Sequence, residues 1–487
     1  MKGLHMLNEI IDLRRDWLNA YDSPTQRHAI AKCIHEIEYQ AFTQEERERI
    51  TVYKNQAKAF AMDYIIRQGD VKLKDYITVE KPPFLHKKIL FGIGDMAGYA
   101  LNLCDGMIEI GAEAYLLEYA DYRVHYRFNF GSHRSDLRRR SHKPYIEVKK
   151  MLEFTAELIV EFDIFNFLNH PTLLPDNLDL PLYNELEKKV VFHYIGAQGR
   201  IFSHLSKKHP YWSHFLRTQS AEWLVHTDKR NFEKMMIRSM HSPAAFSSTN
   251  EYRDILSFAF KHYFEHLQPL NLDKYDLPEA QENPKYTIAL TSTGGKVKGT
   301  EFAIQAVERL KKRYDIDFIL VKGKTHEEAK AIFKQADLLL DQFVIGYHGM
   351  FCIEAMALGK PVVCFLSADM VSFLPDDCPI INANPDNLEA VIEYCINNQE
   401  ETKQRGEQGK AYAKANHDHR KIVKQMLGEY DKIKIIKADE NLLITQKNKA
   451  GLDKDYILKQ LLKEWVEKCQ VRTFLYLSRI LTKRKKS

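Results

Sequence analysis

The sequence predicts an α/β protein of two doubly wound parallel-sheet domains facing a cleft, with helices added at both ends. Three observations predict it. Short apolar runs alternate with helix-periodic stretches from about residue 85 to 430, the pattern of strands joined by crossover helices. The alternation occurs twice, on either side of QPLNLDKYDLPEAQENP (268–284), a proline- and acid-bearing stretch of little periodicity. The two ends are polar and charged, with helical spacing. The expected boundaries are a helical extension over 1–82, a first sheet domain over 83–270, a second over 271–432 and a helical basic extension over 433–487.

Composition is compatible with this plan. The chain has 487 residues, enough for two or three cores. Hydrophobic residues make up 45% and charged residues 28%, as in ordinary globular proteins. The net charge of +5 does not point to nucleic acid. The N-terminal run MKGLHMLNEIIDLRRDW is broken by charge too early for a signal peptide. No apolar stretch is long enough to span a bilayer. The 7 cysteines form no CxxC pair, which fits reduced thiols and a cytoplasmic location.

In the first domain, KPPF (81–84) precedes an apolar run at Ile89–Phe91. Gly92, Gly94 and Gly98 follow, then a helix-like stretch and a second apolar run. The glycines do not make the spaced dinucleotide fingerprint. FDIFNFL (162–168) and KKVVFHYIG (188–196) are two further strand candidates.

The second domain reads more clearly. YTIALTST (286–293), DFILVKG (317–323), DLLLDQF (337–343), PVVCFL (361–366) and PIINA (379–383) are expected strands. Thr300 is expected to cap a helix with Phe302, Ala303, Ala306, Val307 and Leu310 on one face. Thr325 and Glu328 form a capping-box pattern before AKAIFKQA. GMFCIEAMALG (349–359) is a short helix stopped by Gly359 and Pro361, and another helix follows Pro385.

The run DQFVIGYHGMFCIEAMALGKPVVCF (341–365) carries the chemistry. A strand leads through a loop with Gly346 and Gly349 into a helix. The unpaired amides and partial positive charge of a helix start suit an anionic phosphate. Glu354 inside that helix could reach the two hydroxyls of a ribose.

This run resembles the donor signature of GT-B glycosyltransferases, in the large retaining group with a "group 1" C-terminal domain. Glu354, Ala355, Met356, Ala357, Gly359, Pro361 and Val362 match its second half. The family's first glutamate, eight residues earlier, is Gly346 here. Asp341, Gln342, Gly346 and Gly349 fit a branch with D-Q-x-x-x-G-x-x-G at this place. Lys298 and Gly299 match a family K-G, while the usual upstream arginine is Thr293 and Lys296 could supply its charge. His193, Gly196 and Arg200 match a strand-end histidine and G-x-x-x-R loop of the acceptor domain.

The resemblance implies a GT-B fold and retaining transfer of a sugar from a nucleoside diphosphate sugar to an acceptor hydroxyl, without metal or other cofactor. No acidic D-x-D pair stands in a suitable loop. It implies donor binding by Gly94, Lys296, Lys298, Gly346, Gly349, Met350 and Glu354. It implies catalytic roles for His193 and Lys298, and places Arg200 on the acceptor or phosphate side. The acceptor stays open among polysaccharide, lipid and protein. A second reading is a catalytically silent GT-B-like subunit that stabilises a partner transferase, and a third is an epimerase or phosphorylase on the same frame. The basic run SHRSDLRRRSHK (132–143) is a solvated loop or a contact to an anionic acceptor or lipid headgroup. The tail from Tyr456 to Lys486 mixes apolar, aromatic and basic residues. It fits a helix on an anionic membrane surface, or one packed on the protein or a partner.

Overall fold

The computed structural model describes residues 13 and 42–434, except 68, 83–86, 93, 94, 96, 118–143, 169–171, 175, 176, 197, 198, 279–282 and 292–294. The basic run at 132–143, the tail beyond 434 and Gly94 lie outside the described residues.

The first lobe opens with α1 (Gln44–Ile66), started by a capping box in which Thr43 and Glu46 satisfy each other's backbone amides. Then come β1 (Lys88–Gly92), α2 (Tyr99–Glu109), β2 (Glu113–Leu116), α3 (Pro144–Glu161), β3 (Ile164–Leu168), α4 (Leu180–Glu185) and β4 (Lys189–Tyr194). Two short helices, α5 (Phe202–Leu205) and α6 (Trp212–Leu216), precede α7 (Ala221–His241), β5 (Ala244–Ser247), α8 (Arg253–Ala259) and β6 (His262–Glu265). The six strands are all parallel, in the order β2-β1-β3-β4-β5-β6. α1 packs on α3 and contributes Tyr53, Ala57, Phe60 and Tyr64 to the core of this lobe.

The second lobe holds β7 (Tyr286–Thr291), α9 (Gly295–Lys298), α10 (Thr300–Leu310), β8 (Ile316–Val321), α11 (His326–Gln335), β9 (Leu338–Leu340) and α12 (Met350–Ala357). It continues through β10 (Val362–Cys364), α13 (Ala368–Phe373), β11 (Ile381–Asn382), α14 (Leu388–Asn397) and α15 (Gln399–Asn416). Its five parallel strands run β11-β10-β9-β7-β8. The strand order reverses between β7 and β9, so loops leaving their carboxyl ends diverge and open a crevice there.

The expected strands are all present. β5 and β6 add two more, with α3 and α7 as further helices. The expected capping box at Thr325 and Glu328 is formed. The expected cap at Thr300 is corrected: Gly299 is the N-cap, in the left-handed region at φ 73°, and Thr300 is the first helical residue. A side chain at 299 would meet Val344 at 2.8 Å, so glycine serves both the turn and the close approach.

The lobes are joined by two crossings. Leu270 and Asp418 form a parallel bridge where the chain leaves the first lobe and later returns. The last described helix, α16 (His419–Lys432), then lies on α2. Ile422, Val423, Met426 and Tyr430 join the cluster of Phe91, Leu103 and Met107. Gly106 permits this contact, because a Cβ there would lie 2.9 Å from the His419 carbonyl oxygen. Among the described residues, no helix is long and apolar enough to cross a membrane.

The crossing helix gives a paired stability test. Gly106→Ala should cost about 1–3 kcal/mol, because the methyl group must push α16 away. Gly428→Ala, on α16 with nothing within 4 Å of the added carbon, should be neutral or stabilise by up to about 1 kcal/mol. Urea unfolding of both variants beside the parent reads the difference.

Candidate functional site

The crevice of the second sheet gathers three loops. The carboxyl end of β7 leads to α9 with Lys296 and Lys298. The carboxyl end of β9 leads to the 341–349 loop and then to α12. The carboxyl end of β8 leads to α11, whose first residue is His326.

Asp341 is fully buried at the root of this crevice. Its Oδ1 lies 3.3 Å from Lys298 Nζ. Its Oδ2 accepts from the Gly349 amide at 3.4 Å and from Cys352 Sγ at 3.2 Å. The Gln342 side-chain amide donates to the Tyr347 carbonyl. These bonds fold the 341–349 loop back on itself and set the start of α12. Asp341, Cys352 and Cys364 have ligand atoms within 4.8 Å of one another, but a cation there would meet the Lys298 ammonium and compete with both thiol hydrogen bonds.

Among the predicted donor residues, Lys298, Gly349, Met350 and Glu354 are brought together by this arrangement. Lys298 keeps 19% of its side chain exposed while pairing with Asp341. Lys296 is exposed on the same short helix. Met350 packs against apolar clusters of both lobes. Glu354 keeps 14% of its side chain exposed, and its Oε1 accepts from Tyr275 at 2.9 Å and His326 Nε2 at 3.0 Å. Neither Tyr275 nor His326 stood out in the sequence: the tyrosine sits in an aperiodic crossing and the histidine opens a helix.

Gly346 sits in the left-handed region at φ 86°. A Cβ there would lie 2.7 Å from His209 Nε2, which also contacts the Ile345 carbonyl oxygen at 3.0 Å. A glutamate at 346 would therefore be strained and would collide with the first lobe. This packing explains why the position is glycine.

His193 lies within the first lobe and is 1% exposed. Its Nε2 donates to Asn166 Oδ1 at 2.9 Å, and its ring stacks on Phe246 at 5.2 Å. Tyr430 of α16 donates to the same Asn166 oxygen at 2.6 Å. Burial, then repulsion from His266, pushes the His193 pKa well below the ordinary value, so the ring is neutral.

Arg200 lies at the seam between the lobes. Its Nε contacts Glu251 Oε1 at 2.7 Å, and Nη2 donates to the Tyr347 hydroxyl. The guanidinium lies 5.4 Å over Trp212 and 5.3 Å over Tyr347. Burial opposes its charge, but Glu251 and the nearby tyrosines outweigh that and raise its pKa. Around it, Asn250 donates to the Asp369 carbonyl at 2.5 Å, Lys208 pairs with Asp369 at 3.3 Å and Tyr211 donates to Asp386 at 2.6 Å. A cavity of about 480 Å³ lies elsewhere in the second lobe, lined by Val391, Tyr394, Thr402 and Arg405, and holds none of the predicted residues.

Two parallel doubly wound sheets, a double crossing and a final helix returned to the first lobe define the GT-B architecture. No protein-family model matches the chain, and no curated protein matches it. Solved structures that align with the chain include sucrose-phosphate synthase from Thermosynechococcus elongatus, at 13% identity and TM-score 0.49, covering 71% of this chain and 98% of that one. Anabaena HepE in complex with UDP and glucose aligns at 13% identity and TM-score 0.48, over 71% and 100% of the two chains. A glycosyltransferase from Rickettsia africae aligns at 13% identity and TM-score 0.46, over 72% and 99%.

The seam is testable by a double-mutant cycle. Arg200→Met should cost about 3–5 kcal/mol, because it leaves the buried Glu251 carboxylate without its cation. Adding Glu251→Gln should recover part of that loss, as read by denaturant unfolding.

Proposed function

We propose that this protein is a glycosyltransferase that moves a sugar from a nucleoside diphosphate sugar to an acceptor hydroxyl, with retention and without a metal. The observation that carries the reading is the cradle at the second sheet's crevice. α12 opens at Gly349 with no side-chain cap, and the first amides of a helix have no carbonyl partners in the turn before it. Lys298 stands beside them, held by Asp341. Glu354, one turn further along, has one carboxylate oxygen bonded inward and the other without a bond among the described residues.

In this reading the helix start and Lys298 take the donor's diphosphate, with Lys296 able to reach it. They offset the charge that grows on the leaving group as the glycosidic bond breaks. Glu354 accepts from the ribose hydroxyls. His193, buried and neutral, acts from beneath the first lobe's surface by fixing Asn166 and, through it, Tyr430. The acceptor is a hydroxyl of a polysaccharide, lipid or protein.

A second reading, a catalytically silent subunit, is favoured by two observations. The 346 backbone leaves no room for the acidic side chain found there in the resembling family. Arg200 is already committed to Glu251 and Tyr347.

One screen separates the readings. Nucleoside diphosphates and their sugars should raise the melting temperature of the parent, and Glu354→Gln should lose most of that shift. Release of nucleoside diphosphate on adding acceptor supports the transferase. Binding without turnover, together with co-purification of a partner transferase, supports the silent subunit. No shift with any nucleotide removes both the donor site and the enzyme reading.

A further inference from the structure

The Glu354 carboxylate is held by two side chains from separate parts of the chain. Tyr275 belongs to the turn at Leu272–Tyr275, inside the first crossing between the lobes. His326 opens α11. Both contact one carboxylate oxygen, at 2.9 and 3.0 Å. A carboxylate only accepts, so His326 Nε2 must carry a proton in that contact. Tyr275 is itself clamped: its ring is buried, and the Lys330 ammonium lies 5.2 Å over it while bonding to the Lys274 carbonyl at 3.0 Å. Two donors on Oε1 fix the rotamer of Glu354 and leave Oε2 to bond outward. His326 keeps 29% of its side chain exposed, so the pair has a face open to solvent.

We propose that Tyr275 and His326 are positioning residues that hold Glu354 for the hydroxyls of a donor's ribose, and that His326 makes this grip depend on pH. The proposal rests on the nucleotide-site reading above. When His326 is protonated, its bond to Glu354 is charge-assisted and stronger. The groups facing the ring include Glu354 of α12, Tyr275 of the crossing, and Glu327 and Lys330 of its own helix. Burial opposes the charged ring, but the Glu354 hydrogen bond and charge outweigh it, and the His326 pKa is raised. The charged form is therefore complete below the ordinary histidine range and is lost as pH rises through the raised value. Above that value a neutral imidazole holds Glu354 more loosely, and ribose binding weakens.

The test is calorimetric titration of the full chain with UDP-glucose, ADP-glucose and GDP-mannose, from about pH 6 to about pH 9, the window a histidine spans. These ligands carry no phosphate that titrates in that window. For whichever ligand binds, Kd should rise about three- to tenfold across the range, the span of one hydrogen bond. His326→Gln should flatten the profile. Tyr275→Phe should weaken binding at every pH while keeping the slope, and melting temperatures at neutral pH should stay near the parent's. A flat parent profile, or the same slope in His326→Gln, overturns the pH role. Parent-like affinity in Tyr275→Phe overturns the positioning role. In both cases nucleotide binding itself survives. Absence of binding by all three ligands at every pH instead overturns the nucleotide-site reading, and this proposal with it.

Discussion

A carboxylate with no access to water organises the second lobe's crevice. A carboxylate buried there alone would carry a penalty of several kcal/mol. Asp341 is balanced by the Lys298 ammonium, the Gly349 amide and the Cys352 thiol. Those three partners come from α9, from the end of the 341–349 loop and from the first turn of α12. One buried charge thus sets the distance between the lysine and the helix start. The proposed phosphate cradle is a consequence of satisfying Asp341, not a separate construction.

The same loop is also the place where the lobes meet. Ile345 contacts His209 through its carbonyl, Gly346 takes the left-handed turn that lets His209 approach, and Tyr347 receives Arg200. Phe202, Leu205 and Trp212 of the first lobe share an apolar cluster with Leu339, Ile345, Phe351 and Met356 of the second. The loop that shapes the crevice is therefore also a contact surface between the lobes. The crossing reaches the same loop, since Gln268 donates to the His348 carbonyl at 3.4 Å and the His417 ring lies 5.8 Å from that of His348, while α16 straps onto α2.

This coupling bears on the difference at position 346 from the family the sequence resembles. A glutamate at 346 would need both a strained backbone and the space His209 fills. Position 346 carries a tight contact between lobes where the resembling family has an acidic group. In the transferase reading, charge stabilisation then falls to Lys298 and the α12 amides. In the silent reading, the contact itself is what the position provides.

The sequence by itself determined the two-sheet plan, because alternating apolar runs and amphipathic helices can bury their faces in few other ways. It also determined the 341–365 signature and the capping box at Thr325, since each depends on residues close together in the chain. It left β5 and β6 unread, because AAFS and HYFE are only four residues each, too short to show a period of their own. Only the tertiary structure decided that His193 lies inside the lobe, that Arg200 is spent on Glu251 and Tyr347, and that Tyr275 and His326 hold Glu354. Those contacts join residues 27 to 147 positions apart. Local propensity and periodicity carry no information over such distances, because the partner of a buried polar atom is chosen by packing, and packing exists only once the chain has folded.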